Sequence, residues 1–496
     1  MSHPSVDPRT PVIIGVGQLS QRVDRGEPSL EPAAMMAEVA RRAASDSGGR
    51  DVLAALDSVR VVALISWRYR DPGAVVAAAV GAPHARTAVT TMGGNSPQAL
   101  LSRTALDIAA GRADAVLICG AEAGRSRRAA RTAGVELDWT VQDESVPVAE
   151  VIGTDLEMSH PAELARGIGL PVQVYPLLDV AGRAAAGRAP ADHVAHIARL
   201  WSRFSAVAAA NPHAWDRVPH PAEEIATPAP DNRMVGYPYT KLMNSNAWVD
   251  QAAAILLTSA ERADALGVPR DRWVFPLAGT DTVEPFVSLR HDLHRSPAIR
   301  VGGRRVLELA GIGIDDVAHV DLYSCFPSAV QIGAAELGLD IERPLTVTGG
   351  LTFAGGPWND YVTHAIATIV EVVRADPGSI GLCSANGGLV SKHAFGLYST
   401  EPPVHGFRHE APRAEVDAAP RREVLDDHEG PVTVEAYTVM HDRGGEAEVA
   451  LVATLTPGGR RVWARSTDPA VMGRLVAEEG CGRPAEVAGP EADLRI

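Results

Sequence analysis

Four glycine-rich turns stand where short apolar runs hand over to helical stretches: Gly93-Gly94-Asn95-Ser96, Gly349-Gly350, Gly355-Gly356-Pro357 and Asn386-Gly387-Gly388. In sheets flanked by helices, ligands bind in the crevices beyond the strand ends. A helix starting there offers free N–H groups that suit a phosphate or a developing oxyanion. Any one such turn reads as an ordinary turn, but four of them in two matched halves point to a binding site. Beside the last turn lie Cys383, Lys392 and His393. A nearby ammonium or imidazole lowers a thiol pKa and makes it a nucleophile, so these residues form the visible set with reactive chemistry. The bland alternative is a buried cysteine beside a lysine that caps a loop. Ser96 opens a helix, where serine is commonly an N-cap. Cys325 beside Phe326 reads as core packing, and His364 as a structural residue on a helix. Cys119 and Cys481 have no local partner, and no CxxC pair signals a metal site or a disulfide framework.

Lys241 and Lys392 are the only lysines among the 46 Lys plus Arg. Lysine kept against such an arginine bias marks places where a compact ammonium could be needed instead of a planar guanidinium. Two chance survivors read equally well.

The elements that must carry these residues alternate strand and helix. PVIIGVG (11–17), RVVALIS (60–66) and DAVLICGAE (114–122) read as strands. Between them lie a helix capped by Ser29, a helix from DPGAVVAAAVG, and a long helix after the first glycine turn. This order predicts helices packed on a largely parallel sheet. Residues 125–240 lose the rhythm and read as an inserted loop or cap domain. The rhythm returns over 241–400. There WVDQAAAILLTSAERADALGV is a strand feeding a helix, 317–326 and 379–388 are strands, and 361–375 is a helix with one apolar face. Two halves, 1–124 and 241–400, thus suggest a duplicated α/β unit. Residues 401–430 read as a linker, and 431–496 as a small β-rich domain for which an OB-type barrel is one form.

The 496 residues exceed the size of one core, so several domains are expected. A formal net charge of −15 makes nucleic acid or an anionic membrane an unsuitable main partner. No run of about 18 apolar residues appears, and the first residues lack a basic-then-apolar leader pattern. A cytoplasmic protein without a membrane span or metal is the expectation.

Several blocks, in order over roughly 10–400, resemble the thiolase superfamily. VDQAAAILLTSAERADALGV is similar to the family's Asp-Gly-Ala-Ala-Ala segment. DAVLICGAEAG resembles the strand ending Gly-Gly-Met-Glu, with Glu122 at the acid. TGGLTFAGGPWNDYVTHA resembles the block before a helix that contains Gly-His-Pro. DLYSCF resembles Asn-Glu-Ala-Phe, and more closely the His-Asp-Cys-Phe form of sterol-carrier-protein-type thiolases. LCSANGG resembles the Cys-x-Gly block. The resemblance is to thiolase-like proteins with an additional C-terminal domain, labelled acetyl-CoA acetyltransferase-like. It implies two related halves in five layers, a CoA thioester as ligand with no covalently bound cofactor, and a monomer or homodimer. The C-terminal domain could recruit a protein partner.

Departures from the family pattern carry as much weight. The nucleophilic cysteine aligns near Gly93, and no cysteine lies between 1 and 118. Gly356 stands for the Gly-His-Pro histidine, and Tyr323 for the asparagine or histidine of the third block. Only Cys383 keeps its expected identity. Losing a nucleophile alone costs many orders of magnitude, so ordinary Claisen chemistry is expected to be weak or lost. Two readings follow. One is an acyl-CoA-handling enzyme using Cys383, His393 and Tyr323, with Gly93, Gly94, Asn95, Ser96, Gly355, Gly356, Asn386, Gly387 and Lys392 around the substrate. The other is a non-catalytic acyl-CoA binder.

Overall fold

The computed structural model describes residues 6–23 and 28–496, so residues 1–5 of the stretch read for a leader lie outside it. The first half comprises β1 (Pro11–Ser20), α1 (Pro32–Ser47), β2 (Ser58–Val61), α2 (Pro72–Ala79), β3 (Arg86–Thr90), α3 (Ser96–Ala109) and β4 (Ala115–Ala123). The insert follows with α4 (Gly124–Ala133), β5 (Glu150–Ile152), α5 (Pro161–Leu164), α6 (Pro171–Ala185), α7 (Pro190–Ala210) and α8 (Ala222–Ala226). A hairpin of β6 (Met234–Gly236) and β7 (Tyr239–Thr240) ends it, before β8 (Asp250–Ser259) and α9 (Ala260–Ala265). The sheet order is β1-β8-β4-β2-β3-β5. β4 and β8 are buried along their whole length, which is why they read as unbroken apolar runs.

The second half holds β9 (Phe275–Val283), α10 (Pro297–Ala310), β10 (His319–Asp321), α11 (Pro327–Leu337), α12 (Gly350–Phe353) and α13 (Tyr361–Ala375). It continues with β11 (Ile380–Gly387), β12 (Lys392–Ser399) and β13 (Arg408–Glu410), in the order β10-β11-β12-β9-β13. α3 packs on β4 and β8 of the first sheet and on β9, β11 and β12 of the second. α13 likewise touches β1 and β8 on one side and β10, β11 and β12 on the other. These two helices form the middle layer. α1 and α2 cover the first sheet from outside and α10 the second, giving five layers.

Beyond α14 (Arg413–Asp417) and β14 (Val424–Leu425) come β15 (Gly430–His441), β16 (Ala447–Leu455), β17 (Arg461–Ser466), α15 (Pro469–Ala477), β18 (Pro484–Ala488) and β19 (Asp493–Arg495). Strands β15, β16, β17, β19 and β18 pair in a closed ring, a small barrel. The insert's hairpin extends this sheet through Met440 and Gly236.

Several local expectations shift. α1 is capped at Glu31 with Pro32 as first residue, not at Ser29, because proline's missing N–H suits that position. The strand expected over 317–326 is paired only over β10; Leu322–Phe326 leave the ladder to enter α11. The stretch read as a linker is partly ordered, since β13 adds to β9 and β14 to β17.

Candidate functional site

The turn between β3 and α3 is pressed against the end of the second sheet. A β-carbon on Gly93 would lie 2.4 Å from Asn95 Oδ1 and 2.9 Å from Lys392 Nζ. One on Gly94 would lie 2.3 Å from the Tyr323 hydroxyl and 2.5 Å from the Asn386 carbonyl oxygen. One on Gly387 would lie 3.3 Å from Gly93 Cα. Lys392 Nζ donates to the Met92 carbonyl at 2.6 Å. The Gly93 N–H donates to Asn359 Oδ1 at 2.9 Å, and Asn359 Nδ2 donates to the Ala63 carbonyl at 2.8 Å. Both halves therefore meet at Gly93-Gly94, with an amine and a phenol against the chain. Gly94→Ala is expected to cost about 1–3 kcal/mol, since a stiff tyrosine ring and a backbone carbonyl must both give way. Urea unfolding of the variant measures this, and a loss within about 0.5 kcal/mol, the range of an ordinary surface substitution, would show the contact to be slack.

The β11–β12 turn is held from the insert. Tyr175 Oη on α6 donates to the Gly388 carbonyl at 3.0 Å and accepts from Asn386 Nδ2 at 2.9 Å and from Val390 N–H at 3.2 Å. Asn95 Oδ1 and Asn386 Oδ1 are buried with no hydrogen-bond partner among the described residues. Unpaired buried oxygens cost free energy and call for an explanation. Behind the site Glu122, 1% exposed, accepts from the N–H groups of Ile65 and Ser66 at 2.7 Å each and so shapes the loop after β2. Burial pushes Glu122 up to about 7.

Burial works against charge on the cluster's own groups. Burial lowers the Lys392 pKa, with Asp155 opposing. Burial raises the Tyr323 hydroxyl, with Cys325 adding to it, and pushes the Cys325 thiol up to about 12.

Cys383 is not brought to this cluster. Its partner across the sheet is Gly396, whereas Lys392 pairs with Gly387, four residues further along. At strand rise that is roughly 13 Å. The thiol is fully buried, and burial with Asp321 nearby holds its pKa well above the usual range. The expectation that Lys392 or His393 activates Cys383 is thus overturned by the strand register. His393 follows Lys392 and therefore faces the opposite side of β12. With Tyr323, Ser384, Asn386 and Phe395 it lines a cavity of about 20 Å³, room for a single water. Burial, aided by Arg290, pushes His393 down to about 3, so its ring is neutral.

Ser96 is the first residue of α3 rather than its cap, and its hydroxyl donates to the Thr91 carbonyl at 2.9 Å. Gly355 and Gly356 stand away from Gly93. A β-carbon on Gly355 would meet Gln251, and the Gly356 N–H donates to the Asn246 carbonyl at 2.9 Å. Their turn reaches the cluster through Asn359, which the glycine pattern did not single out. Gly349 sits against Ala208 of α7. Nearby, Asp321 accepts from Thr346, Thr348 and Tyr361 side chains and fixes the start of α13. Tyr175 carries no sequence signal, and Asp321, though it opens the DLYSCF block, is not among the expected site residues.

The comparisons agree with this architecture. A family model described as the thiolase-like protein type 1 additional C-terminal domain matches residues 413–491. A 3-ketoacyl-CoA thiolase of Alcanivorax borkumensis is 30% identical over 149 residues, covering 29% of this chain and 36% of that protein, so the match spans about a third of the relative. The dimeric peroxisomal thiolase of Saccharomyces cerevisiae superposes with a TM-score of 0.56 at 16% identity over 80% of this chain and 99% of that one, a likeness of fold alone. A monomeric SCP2-thiolase-like protein type 1 from Mycobacterium smegmatis superposes with a TM-score of 0.84 at 33% identity, covering 99% of both chains. With that match running end to end, the chain belongs to the SCP2-thiolase-like proteins of type 1, within the thiolase superfamily.

Proposed function

We propose that the protein binds CoA thioesters between its two halves and acts on them without an acyl-cysteine intermediate. The observation that carries this reading is the packing at Gly93-Gly94. A lysine amine and a tyrosine hydroxyl fill the space that side chains there would need. Cys383 is remote along the strand, and Cys325 is held as a neutral thiol. What is left can polarise a carbonyl. The Lys392 amine would donate to the thioester oxygen, and the Tyr323 hydroxyl, kept protonated by burial, would donate to it as well. The unpaired Asn95 and Asn386 oxygens would accept from the ligand. We place the protein in the cytoplasm as a monomer or homodimer; among the described residues no helix is long and apolar enough to cross a membrane, and the four cysteines are free.

The second reading, a non-catalytic binder whose barrel recruits a partner, is favoured by how closed the centre is. Both readings face one experiment. The protein is incubated with acetyl-CoA and longer acyl-CoAs, binding is measured by calorimetry, and the four cysteine peptides are weighed by mass spectrometry. Saturable binding with unmodified cysteines is the expected result. An acyl group on Cys383 would overturn the chemistry proposed, and no binding of any CoA would remove the ligand.

A further inference from the structure

The chain's two side-chain amines have opposite surroundings. Lys241 is exposed and reaches only the Asp231 carbonyl, at 3.1 Å. Lys392 is 8% exposed, and its amine stands where a side chain on Gly93 would be. Met92, whose carbonyl holds that amine, is 40% exposed, so the nitrogen lies one residue beneath the surface. On the neighbouring residue, Gly94, a β-carbon would lie 2.3 Å from the Tyr323 hydroxyl. An amine and a phenol thus flank one dipeptide that carries no side chain of its own.

We propose that Lys392 forms an imine with a ketone carbonyl in the acyl chain of a bound CoA thioester, with the Tyr323 hydroxyl as the proton donor. The proposal rests on the CoA-thioester reading above and names the substrate class, a ketoacyl thioester. In the step, the free amine's lone pair adds to the ketone carbon and the carbonyl oxygen takes a proton from Tyr323. The nitrogen then returns a proton to the Tyr323 phenolate. The restored phenol protonates the hydroxyl, which leaves as water as the nitrogen lone pair forms the C=N bond of a protonated imine, and solvent resupplies the Tyr323 proton. No oxidant or reductant is needed, and the thioester stays intact. The protonated imine draws electrons from the bonds at its neighbouring carbons, which is the service a covalent lysine gives to carbon–carbon chemistry.

Three further features fit. Burial favours the free amine over the ammonium. An arginine could keep the bond to Met92 but could not lose a proton, which accounts for a lysine in a chain whose other basic side chains, Lys241 and the histidines apart, are arginines. Finally, the turn before Lys392 is locked by Tyr175 and by Arg290, which donates to the Leu389 and Val390 carbonyls at 2.8 and 2.7 Å, so the amine starts from a fixed backbone.

The test uses the full chain with acetoacetyl-CoA and sodium cyanoborohydride at neutral pH, which reduces an imine to a stable secondary amine. Peptide mass spectrometry then locates the adduct, and calorimetry without the reductant measures binding. The expected result is an adduct on Lys392 that retains CoA, saturates with the binding curve, and exceeds labelling of Lys241 about tenfold or more, because only a bound ketone is held beside an amine. Lys241→Arg should leave it in place and Lys392→Arg should abolish it, with thermal unfolding checking that each variant folds. Saturable binding without an adduct on Lys392, or equal labelling of both lysines, overturns the imine and leaves the CoA reading standing. Absence of binding sinks both.

Discussion

Arg461→Ala is expected to lower the unfolding free energy by about 3–5 kcal/mol, the cost of removing one partner from a buried ion pair. Arg461 is fully buried at the start of β17. Its Nε and Nη2 donate to both oxygens of Glu435 at 2.8 and 2.7 Å. Its Nη1 donates to the carbonyls of Val287, Ser288 and Arg290 at 3.2, 2.8 and 2.6 Å. Truncation leaves the Glu435 carboxylate and the Ser288 and Arg290 carbonyls without this donor at the seam between the barrel and the second half, while the Val287 carbonyl keeps the Arg290 N–H. The neighbouring Trp463 donates from its indole N–H to Ser288 Oγ at 2.7 Å, and Ser288 donates in turn to Glu163 of the insert. Three parts of the chain are therefore tied at Ser288. Denaturant unfolding followed by hydrogen exchange measures the effect, and protection should fall first over 286–290 and the barrel. Arg461→Lys should recover only part of it, since an ammonium cannot span both partners. A loss below about 1 kcal/mol, the scale of an exposed pair, would show that the seam is wet and the barrel only loosely attached.

That seam also shows what pattern reading reaches and what it does not. Apolar runs such as β4 and β8 are buried on both faces, so composition alone marks them as strands. β9, α10 and β12 escape it. α10 carries Gly302-Gly303 in mid-helix, which propensity reads as a break. The structure needs them there, because β-carbons would meet the Phe395 ring at 2.9 Å and the Leu337 side chain at 1.9 Å. β12 begins with Lys392-His393, charged types that argue against a buried strand, yet one faces the glycine turn and the other the small cavity. At the site, glycine turns are legible because they are local, and Tyr323, Asn386 and Lys392 could be named through the turns and the family blocks. Which side of a strand each residue faces is a matter of register, and a slip of one residue reverses it. Register also sets distance along a ladder, so Cys383, paired with Gly396, could be picked out by type and still lie far from the amine meant to activate it. Asn359 and Tyr175 depend on how separate elements dock, which no local signal records.

Buried histidines set the second large effect. His364 and His393 are both pushed down to about 3 by burial. Unfolded, each titrates near 6.5. A base whose folded pKa is depressed gives its full stability above the unfolded value and loses it as pH falls from about 6.5 towards 3, because the unfolded chain then binds more protons. His364 gains little from Asp360, whose nearest oxygen is 3.8 Å away and whose own carboxyl pKa is raised well above the usual range by burial. Glu122 works against this trend. Its folded pKa is raised, so the folded state binds the extra proton and gains stability as pH falls from about 7 towards the unfolded carboxyl range. The wild-type curve thus contains opposing contributions, and a variant must separate them. His393→Asn removes one titrating ring, at a packing cost that does not depend on pH. Relative to wild type it should improve by about 2 kcal/mol between pH 7 and pH 5, the 1.5 units below 6.5 at about 1.36 kcal/mol each. Urea midpoints of both proteins at the two pH values give this double difference directly. A double difference near zero would mean that His393 takes up its proton in the fold as readily as in the unfolded chain, and that the cavity it shares with Tyr323 admits water freely.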